Sequence, residues 1–297
     1  MNEHEQLVDR AARHARTVLF IGGMDAGKST LARATAAFAL RIGRAVAYLD
    51  ADVAQKTVGP PATVGMKHIR GADDLTLDAM AEADALGFVG STSPQDHLVP
   101  LAGALQRLRE RARSEGADLV VVDTGGEIGG IRGQLLSYYE VDVLEPDLVV
   151  GLTRGEDLEP ILGIVDRFFG VETATAPIHP ETAATSVEDR MTRRTKMMAR
   201  YFGSAPLQRF RVRPTVFMPT LPPLFDLTSL DRLLVGLSDG AGGFTGLGVL
   251  ELVPEDGGLR LISPVADPPK ALRLGSVRLE DDYRAKRVDL RTLFGTE

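Results

Sequence analysis

Between Thr17 and about Leu152 the chain alternates short apolar runs with amphipathic stretches. TVLFIGG, beginning at Thr17, is apolar and partly β-branched and ends in glycines, which predicts a strand buried on both faces. RAVAYLD, GFVGS, ADLVVVDTGG and PDLVVGLTR are further short apolar runs, each running into Gly, Asp, Ser or Thr. Helical spacing of apolar residues predicts helices over residues 29–40, 98–114, 134–144 and 156–169, and MNEHEQLVDRAARHAR predicts a short amphipathic helix. Buried strands separated by helices make an α/β fold, a mostly parallel sheet with helices on either side. In such a sheet, functional residues gather at the carboxyl ends of the strands.

The texture then changes twice. Residues from about 185 to 203 form a strongly basic amphipathic stretch, predicting a helix. After Pro206, RFRVRPTVFMP, GLGVLELV, GLRLISPV and LRLGSVRL read as strands separated by DGAGG, PEDGG and ADPP turns. The expected division is residues 1–205, carrying the α/β unit and the basic helix, and residues 206–297, a small C-terminal β-rich module.

Composition narrows the chemistry. The 297 residues include no Cys, so disulfides, thiolate metal sites and cysteine nucleophiles are excluded. Trp is absent and aromatic residues make up 5%, so any base-stacking platform rests on a few Tyr and Phe. No apolar run approaches the roughly 20 residues of a membrane span, and the N-terminus has no signal-peptide pattern; a cytoplasmic protein without membrane contact is expected. The five histidines are scattered and suggest no metal cluster. The net charge of −7 argues against a general nucleic-acid coat. Yet Arg190, Arg193, Arg194, Lys196, Arg200, Arg209, Arg211 and Arg213 fall in a segment without a single acid, leaving −15 on the rest. A local basic patch on an acidic protein is what a phosphate-handling groove requires.

Gly22-Gly23-Met24-Asp25-Ala26-Gly27-Lys28-Ser29-Thr30 fits G-x-x-x-x-G-K-[ST], after a strand and at the opening of a helix. Glycines let backbone N–H groups turn inward around phosphates, and the helix N-terminus favours their charge. Lys28 would bridge the β- and γ-phosphates of a nucleoside triphosphate and the Ser29 hydroxyl would ligate Mg2+. The sole Asn is Asn2, so the guanine-reading N-K-x-D motif is absent and ATP is the expected nucleotide. Asp50 and Asp52 lie two residues apart at the end of the second strand, where a carboxylate can hold Mg2+ or accept a proton from an incoming hydroxyl. Asp123 ends DLVVVD in the manner of a Walker-B carboxylate, and Ser91-Thr92-Ser93-Pro94 brings hydroxyls to the same edge.

Together these segments resemble the polynucleotide 5′-hydroxyl kinase family, which includes the kinase subunit of the pre-mRNA cleavage complex and archaeal and bacterial relatives. The family's T-D-x-G-K-S-T is matched by MDAGKST, its L-D-x-D-x-G-Q by LDADVAQ followed by Pro60-Pro61-Ala62, and its F-V-G-S-T-S-P by FVGSTSPQDHL. DTGGEIGGIRGQLL is similar to its N-T-x-G-W and glycine-rich motif, and Arg190, Arg194 and Tyr201-Phe202 to its lid helix. The resemblance implies a P-loop kinase that moves the ATP γ-phosphate to the 5′-hydroxyl of single-stranded RNA, or DNA, with protein partners unspecified. It implies Ser29, Asp52 and Thr92 around Mg2+, Asp52 as base, Gln55, Thr124 and residue 127 toward the substrate, and Arg190 and Arg194 closing over the γ-phosphate. Three departures stand out: Glu127 replaces the family Trp expected to stack on a base, Ala54 and Ala62 replace glycines, and Asp123 stands where Asn is frequent. An ATP-holding scaffold without transfer, and a P-loop kinase or ATPase with a non-nucleic-acid acceptor, remain the alternatives.

Overall fold

Alternate side chains of β1 (Thr17–Gly22) enter different cores, and this organises the first two-thirds of the chain. Val18 and Phe20 pack with the helices α1 (Glu3–His14) and α2 (Lys28–Arg41) on one face of the sheet. Leu19 and Ile21 pack on the other face beneath α4 (Leu98–Ser114), α5 (Gly130–Leu144) and α6 (Glu159–Phe169), while the short α3 (Leu77–Met80) adds Met80 to the first face. Each fully buried Val, Leu, Ile or Phe contributes about 1.5–3 kcal/mol, and all six residues of β1 are buried. The computed structural model describes residues 2–179, 182–213, 216–253 and 257–295.

β2 (Val46–Asp50), β5 (Leu119–Asp123), β1, β6 (Leu148–Thr153) and β7 (Glu172–Pro177) run parallel in that spatial order, and the first four correspond to apolar runs of the sequence. Two elements were not legible. β3 (Thr63–Ile69) pairs antiparallel with β2, and its apolar pattern is interrupted by Lys67, which is buried with its ammonium donating to the Glu82 carbonyl at 3.1 Å. β7 is an edge strand whose residues are mostly exposed, so no apolar run marks it. β4 (Ala85–Phe88) pairs antiparallel with β3 and therefore points the same way as β2. That second reversal delivers residues 91–97 to the strand edge that carries the P-loop.

The C-terminal strands are β8 (Gln208–Val212), β9 (Phe217–Met218), β10 (Leu233–Ser238), β11 (Phe244–Val253), β12 (Gly258–Ser263), β13 (Ala271–Leu279) and β14 (Ala285–Arg287), followed by the short α8 (Leu290–Leu293). They continue the sheet of the first part through the pairing of Phe244 in β11 with Leu86 in β4. The sheet thus runs β14-β13-β10-β11-β4-β3-β2-β5-β1-β6-β7, with β12 joining β11 to β8. The basic stretch forms α7 (Val187–Phe202), capped by the Ser186 hydroxyl accepting from the Asp189 N–H, and anchored by Met198 and Phe202 packing with Phe88, Leu247 and Val277. Pro214 and Thr215 of RFRVRPTVFMP, and residues 254–256 of the PEDGG turn, lie outside the described residues. No helix among the described residues is long and apolar enough to cross a membrane.

Candidate active site

The segments after β1, β2, β4 and β5 meet the helices α5 and α7 around a cleft of about 1290 Å3 that is lined by Met24–Thr30, Asp52, Gln55, Thr92, Thr124, Glu127, Glu140, Arg190 and Arg194. The P-loop forms its floor. Gly27 takes a left-handed conformation (φ 95°) at the cap of α2, which a side chain would resist, and the first amides of the helix open there toward the cleft. Gly23 begins the turn, its carbonyl accepting from the Ala26 N–H at 3.3 Å. Lys28 is folded against its own loop: Nζ donates to the Gly22 and Gly23 carbonyls, each at 2.8 Å. Burial lowers its pKa, while the carboxylates of Asp123, Asp52, Glu140 and Asp25 push it back. A triphosphate offers this ammonium better acceptors than two carbonyls.

The two aspartates after β2 have different duties. Asp50 is buried and fully engaged: Oδ1 accepts from the Asp52 N–H and faces the Lys56 ammonium at 3.1 Å, and Oδ2 accepts from the N–H groups of Thr57 and Val58. It holds the loop in shape, so Asp50 is withdrawn from the pair of reactive carboxylates that the spacing suggested. Asp52 uses only Oδ1 for structure, accepting from Ala54 (2.7 Å) and Gln55 (2.9 Å). No hydrogen bond among the described residues occupies Oδ2, which faces Gly125 across the cleft.

Asp123 stands opposite Asp50 in the neighbouring strand. Burial and the Asp50 charge push its pKa up to about 6, against the Ser29 hydroxyl, Lys28 and Tyr48. Its Oδ2 accepts from the Tyr48 hydroxyl at 2.9 Å, and Oδ1 is buried without a hydrogen-bond partner among the described residues. This orphaned oxygen and the Ser29 and Thr92 hydroxyls, with Asp52 Oδ2 within reach of the ion's water shell, form a hard oxygen set that fits Mg2+. Among the described residues no cluster of three or more His, Asp or Glu forms a metal cage; Mg2+ held partly through phosphates and water needs none.

Toward the substrate side the placements diverge. The Thr124 hydroxyl donates to the Phe20 carbonyl at 2.8 Å and Gln55 Nε2 donates to the Arg190 carbonyl at 3.1 Å, so both have structural partners. Glu127 Oε1 accepts from Gln95 Nε2 at 2.8 Å, and the Gln95 carbonyl oxygen accepts from Arg132, linking the carboxylate to a guanidinium through one amide. Over the cleft, the lid helix begins against the P-loop, where Asp25 receives Arg190 at 3.2 Å. Arg194 is half-buried facing the Asp52 charge; burial lowers its pKa and Asp52 opposes this.

Glu140 was missed. It sits on the inner face of α5, 3% exposed, and burial pushes its pKa up to about 8, with Lys28 opposing and Asp52 adding to the rise. The signal was present: Leu136, Glu140 and Leu144 recur every fourth residue, so a carboxylate interrupts a buried helical stripe.

Residues 22–204 match the family model described as mRNA cleavage and polyadenylation factor CLP1 P-loop. The chain is 26% identical over 326 residues to the polyribonucleotide 5′-hydroxyl-kinase of Thermococcus kodakarensis, covering 90% of this chain and 89% of that protein. It is 26% identical over 324 residues to the enzyme of the same name from Pyrococcus horikoshii, covering 90% and 86%. A solved complex of Clp1p with a Pcf11p segment shares the fold, at TM-score 0.71 over 93% of this chain and 77% of that one, with 14% identity. With its P-loop, lid helix and intervening motifs all inside the matched span, the chain belongs to the CLP1 P-loop family.

Proposed function

We propose that this chain is an ATP-dependent polynucleotide 5′-hydroxyl kinase, acting in the cytoplasm on single-stranded RNA and, with the same machinery, on DNA. Two relatives carry that activity in their names. The observation that carries the reading here is Asp52, whose Oδ2 is left open between the P-loop and the lid while Oδ1 locks its geometry.

In this reading, residues 1–205 perform the transfer and 206–297 support them. Lys28 leaves its loop carbonyls for the phosphates, and Arg190 and Arg194 meet the charge that develops on the transferred group. Mg2+ at Ser29 and Thr92, with Asp52 touching it through its water shell, would neutralise phosphate charge and orient the γ-phosphate. Asp52 Oδ2 accepts the proton of the 5′-hydroxyl as its oxygen bonds to the γ-phosphorus and the bond from that phosphorus to the β,γ-bridging oxygen breaks. The lid excludes water, which would otherwise take the phosphoryl group.

The test is incubation with γ-labelled ATP and 5′-hydroxyl RNA, single-stranded DNA, duplexes and a control without oligonucleotide. Label on the RNA is expected. Label on no oligonucleotide, under conditions where ATP binds, overturns the proposal and leaves the scaffold reading, or the other-acceptor reading if ATP is consumed.

A further inference from the structure

We propose that Ser276, in the C-terminal strand β13, is a positioning residue for the polynucleotide acceptor, an inference that rests on the kinase reading above. It clips together both ends of the loop of residues 90–97, and through His97 it fixes Gln95, the partner of Glu127. The loop follows β4 and brings Thr92, Ser93 and Pro94 into the cleft. Two short turns shape it locally: the Ser91 hydroxyl accepts from the Ser93 N–H at 3.1 Å, and the Ser93 hydroxyl accepts from the Gln95 N–H at 3.3 Å.

Ser276 ties this loop to the C-terminal strands at two points. Its N–H donates to the Gly90 carbonyl at 2.6 Å, and its hydroxyl lies 2.8 Å from His97 Nε2. A bulge makes the first contact available. Between the pairs Leu233–Arg278 and Val235–Leu274, β10 advances two residues and β13 four, which leaves Ser276 outside that register. Next to it, Gly275 packs directly on Gly90. A Cβ on Gly90 would lie 3.0 Å from the Gly275 Cα, and one on Gly275 would lie 2.9 Å from the Gly90 carbonyl oxygen. A third contact comes from β14, where Arg287 Nη2 donates to Asp96 Oδ2 at 2.9 Å. Both of those side chains are exposed, so that pair contributes little.

The second contact reaches the acceptor side. His97 Nδ1 meets the Gln95 carbonyl at 3.0 Å. A carbonyl only accepts, so Nδ1 carries the proton, and in the neutral ring Nε2 accepts from the Ser276 hydroxyl. Gln95 in turn donates to Glu127, which lines the cleft, and accepts from Arg132. Ser276 is 5% exposed, so its hydroxyl is largely shielded from water. Removing that hydroxyl leaves Nε2 to turn toward solvent and draw residues 95–97 with it. The Gly90 end stays in place, because a backbone N–H makes that bond, and Thr92 stays with it. Loss of the hydroxyl therefore disturbs the wall that faces the acceptor more than the part of the loop that faces the phosphates.

The test compares the full chain with Ser276→Ala, His97→Asn and the double variant, using ATP and a short 5′-hydroxyl oligoribonucleotide. Asn keeps a donor near the Nδ1 position for the Gln95 carbonyl but does not reach Ser276. Each single variant is expected to raise the oligonucleotide KM about fivefold, the size of one neutral hydrogen bond, with kcat little altered and the ATP KM unchanged. The double variant does no worse than either single one, since both changes break the same link. Fluorescence anisotropy of the same oligonucleotide carrying a 3′ dye, with a non-hydrolysable ATP analogue present, reads the acceptor affinities without transfer. A wild-type protein that transfers no phosphate yet shows these affinity ratios therefore counts against the kinase reading alone. Unchanged oligonucleotide affinity in Ser276→Ala, or additive losses in the double variant, overturns the assignment. Parallel losses for ATP and oligonucleotide with a lowered Tm also overturn it and leave Ser276 with a structural role only. An oligonucleotide that the wild-type protein does not bind at all overturns both the assignment and the kinase reading.

Discussion

Arg190 Nη1 donates to Asp25 Oδ2 at 3.2 Å, joining the first turns of the lid to the phosphate loop across 165 residues. The same carboxylate accepts the Thr185 N–H at 2.8 Å and the Thr185 hydroxyl at 3.0 Å. The start of α7 is therefore held over the cleft by a P-loop residue, and in the proposed mechanism a γ-phosphate would compete with Asp25 for the Arg190 guanidinium.

Neutralising the latch should loosen the lid without disturbing the core. Asp25→Asn removes a charged hydrogen bond worth about 1.5 kcal/mol, so amides around residues 185–190 should exchange roughly tenfold faster without nucleotide. Hydrogen exchange read by mass spectrometry checks this; unchanged exchange in that segment removes Asp25 as the latch.

Asp52→Asn keeps an oxygen for the Ala54 and Gln55 amides but cannot accept the proton of the hydroxyl. A loss of at least about 100-fold in kcat is expected, with ATP affinity little altered. Labelled-ATP transfer and equilibrium ATP binding are measured side by side, and transfer at the wild-type rate excludes Asp52 as base.

Glu140 makes stability depend on pH. Its carboxyl titrates near 4.5 in the unfolded chain and near 8 in the fold. Between those values the folded protein holds a proton that the unfolded chain has released, so this contribution is complete below pH 4.5 and is lost as pH rises through 8. The span is roughly 5 kcal/mol. Glu140→Gln should match the wild type near pH 4.5 and exceed it at pH 8.5 in denaturant unfolding. Parallel stability curves for the two proteins across that range would refute the assignment.

Glu127→Trp restores an aromatic at the departure from the family pattern and removes a carboxylate facing a polyanion. Stacking is worth about 1–3 kcal/mol per base, so RNA should bind at least fivefold tighter. Releasing Gln95, which also holds Arg132, from the carboxylate offsets part of that gain. Glu127→Gln, which keeps a partner for Gln95, separates repulsion from stacking; no tightening in the Trp variant argues against a base stacking there.

Ala62 shows how a local rule and its exception coexist. It occupies a left-handed conformation (φ 67°) where the resembling pattern has glycine, and it is wholly buried beside Phe88. The backbone cost of about 1–2 kcal/mol is of the size of the methyl burial plus the entropy that glycine would lose on folding. Alanine is thus tolerated there without a change of loop shape.

The phosphate loop and the parallel strands were legible because their determinants are contiguous: one glycine turn, one helix start, and apolar runs long enough to be buried on both faces. β3 and β7 were not, since one buries a lysine through a distant carbonyl and the other is an edge with little to bury. Asp50 and Asp52 were indistinguishable by spacing. Only the loop that folds back to place the Thr57 and Val58 amides on Asp50 separates a structural carboxylate from an open one.

By itself, then, the sequence determined the fold class, the nucleotide-binding loop and the basic segment, because each depends on residues close along the chain. The tertiary structure decided which carboxylate oxygen is unshared, that Glu140 lies beside Lys28, that Asp25 holds the lid, and that Ser276 joins both ends of the loop carrying Thr92. These are relations between residues far apart in the chain, set by strand order, register and burial, and no local pattern encodes them.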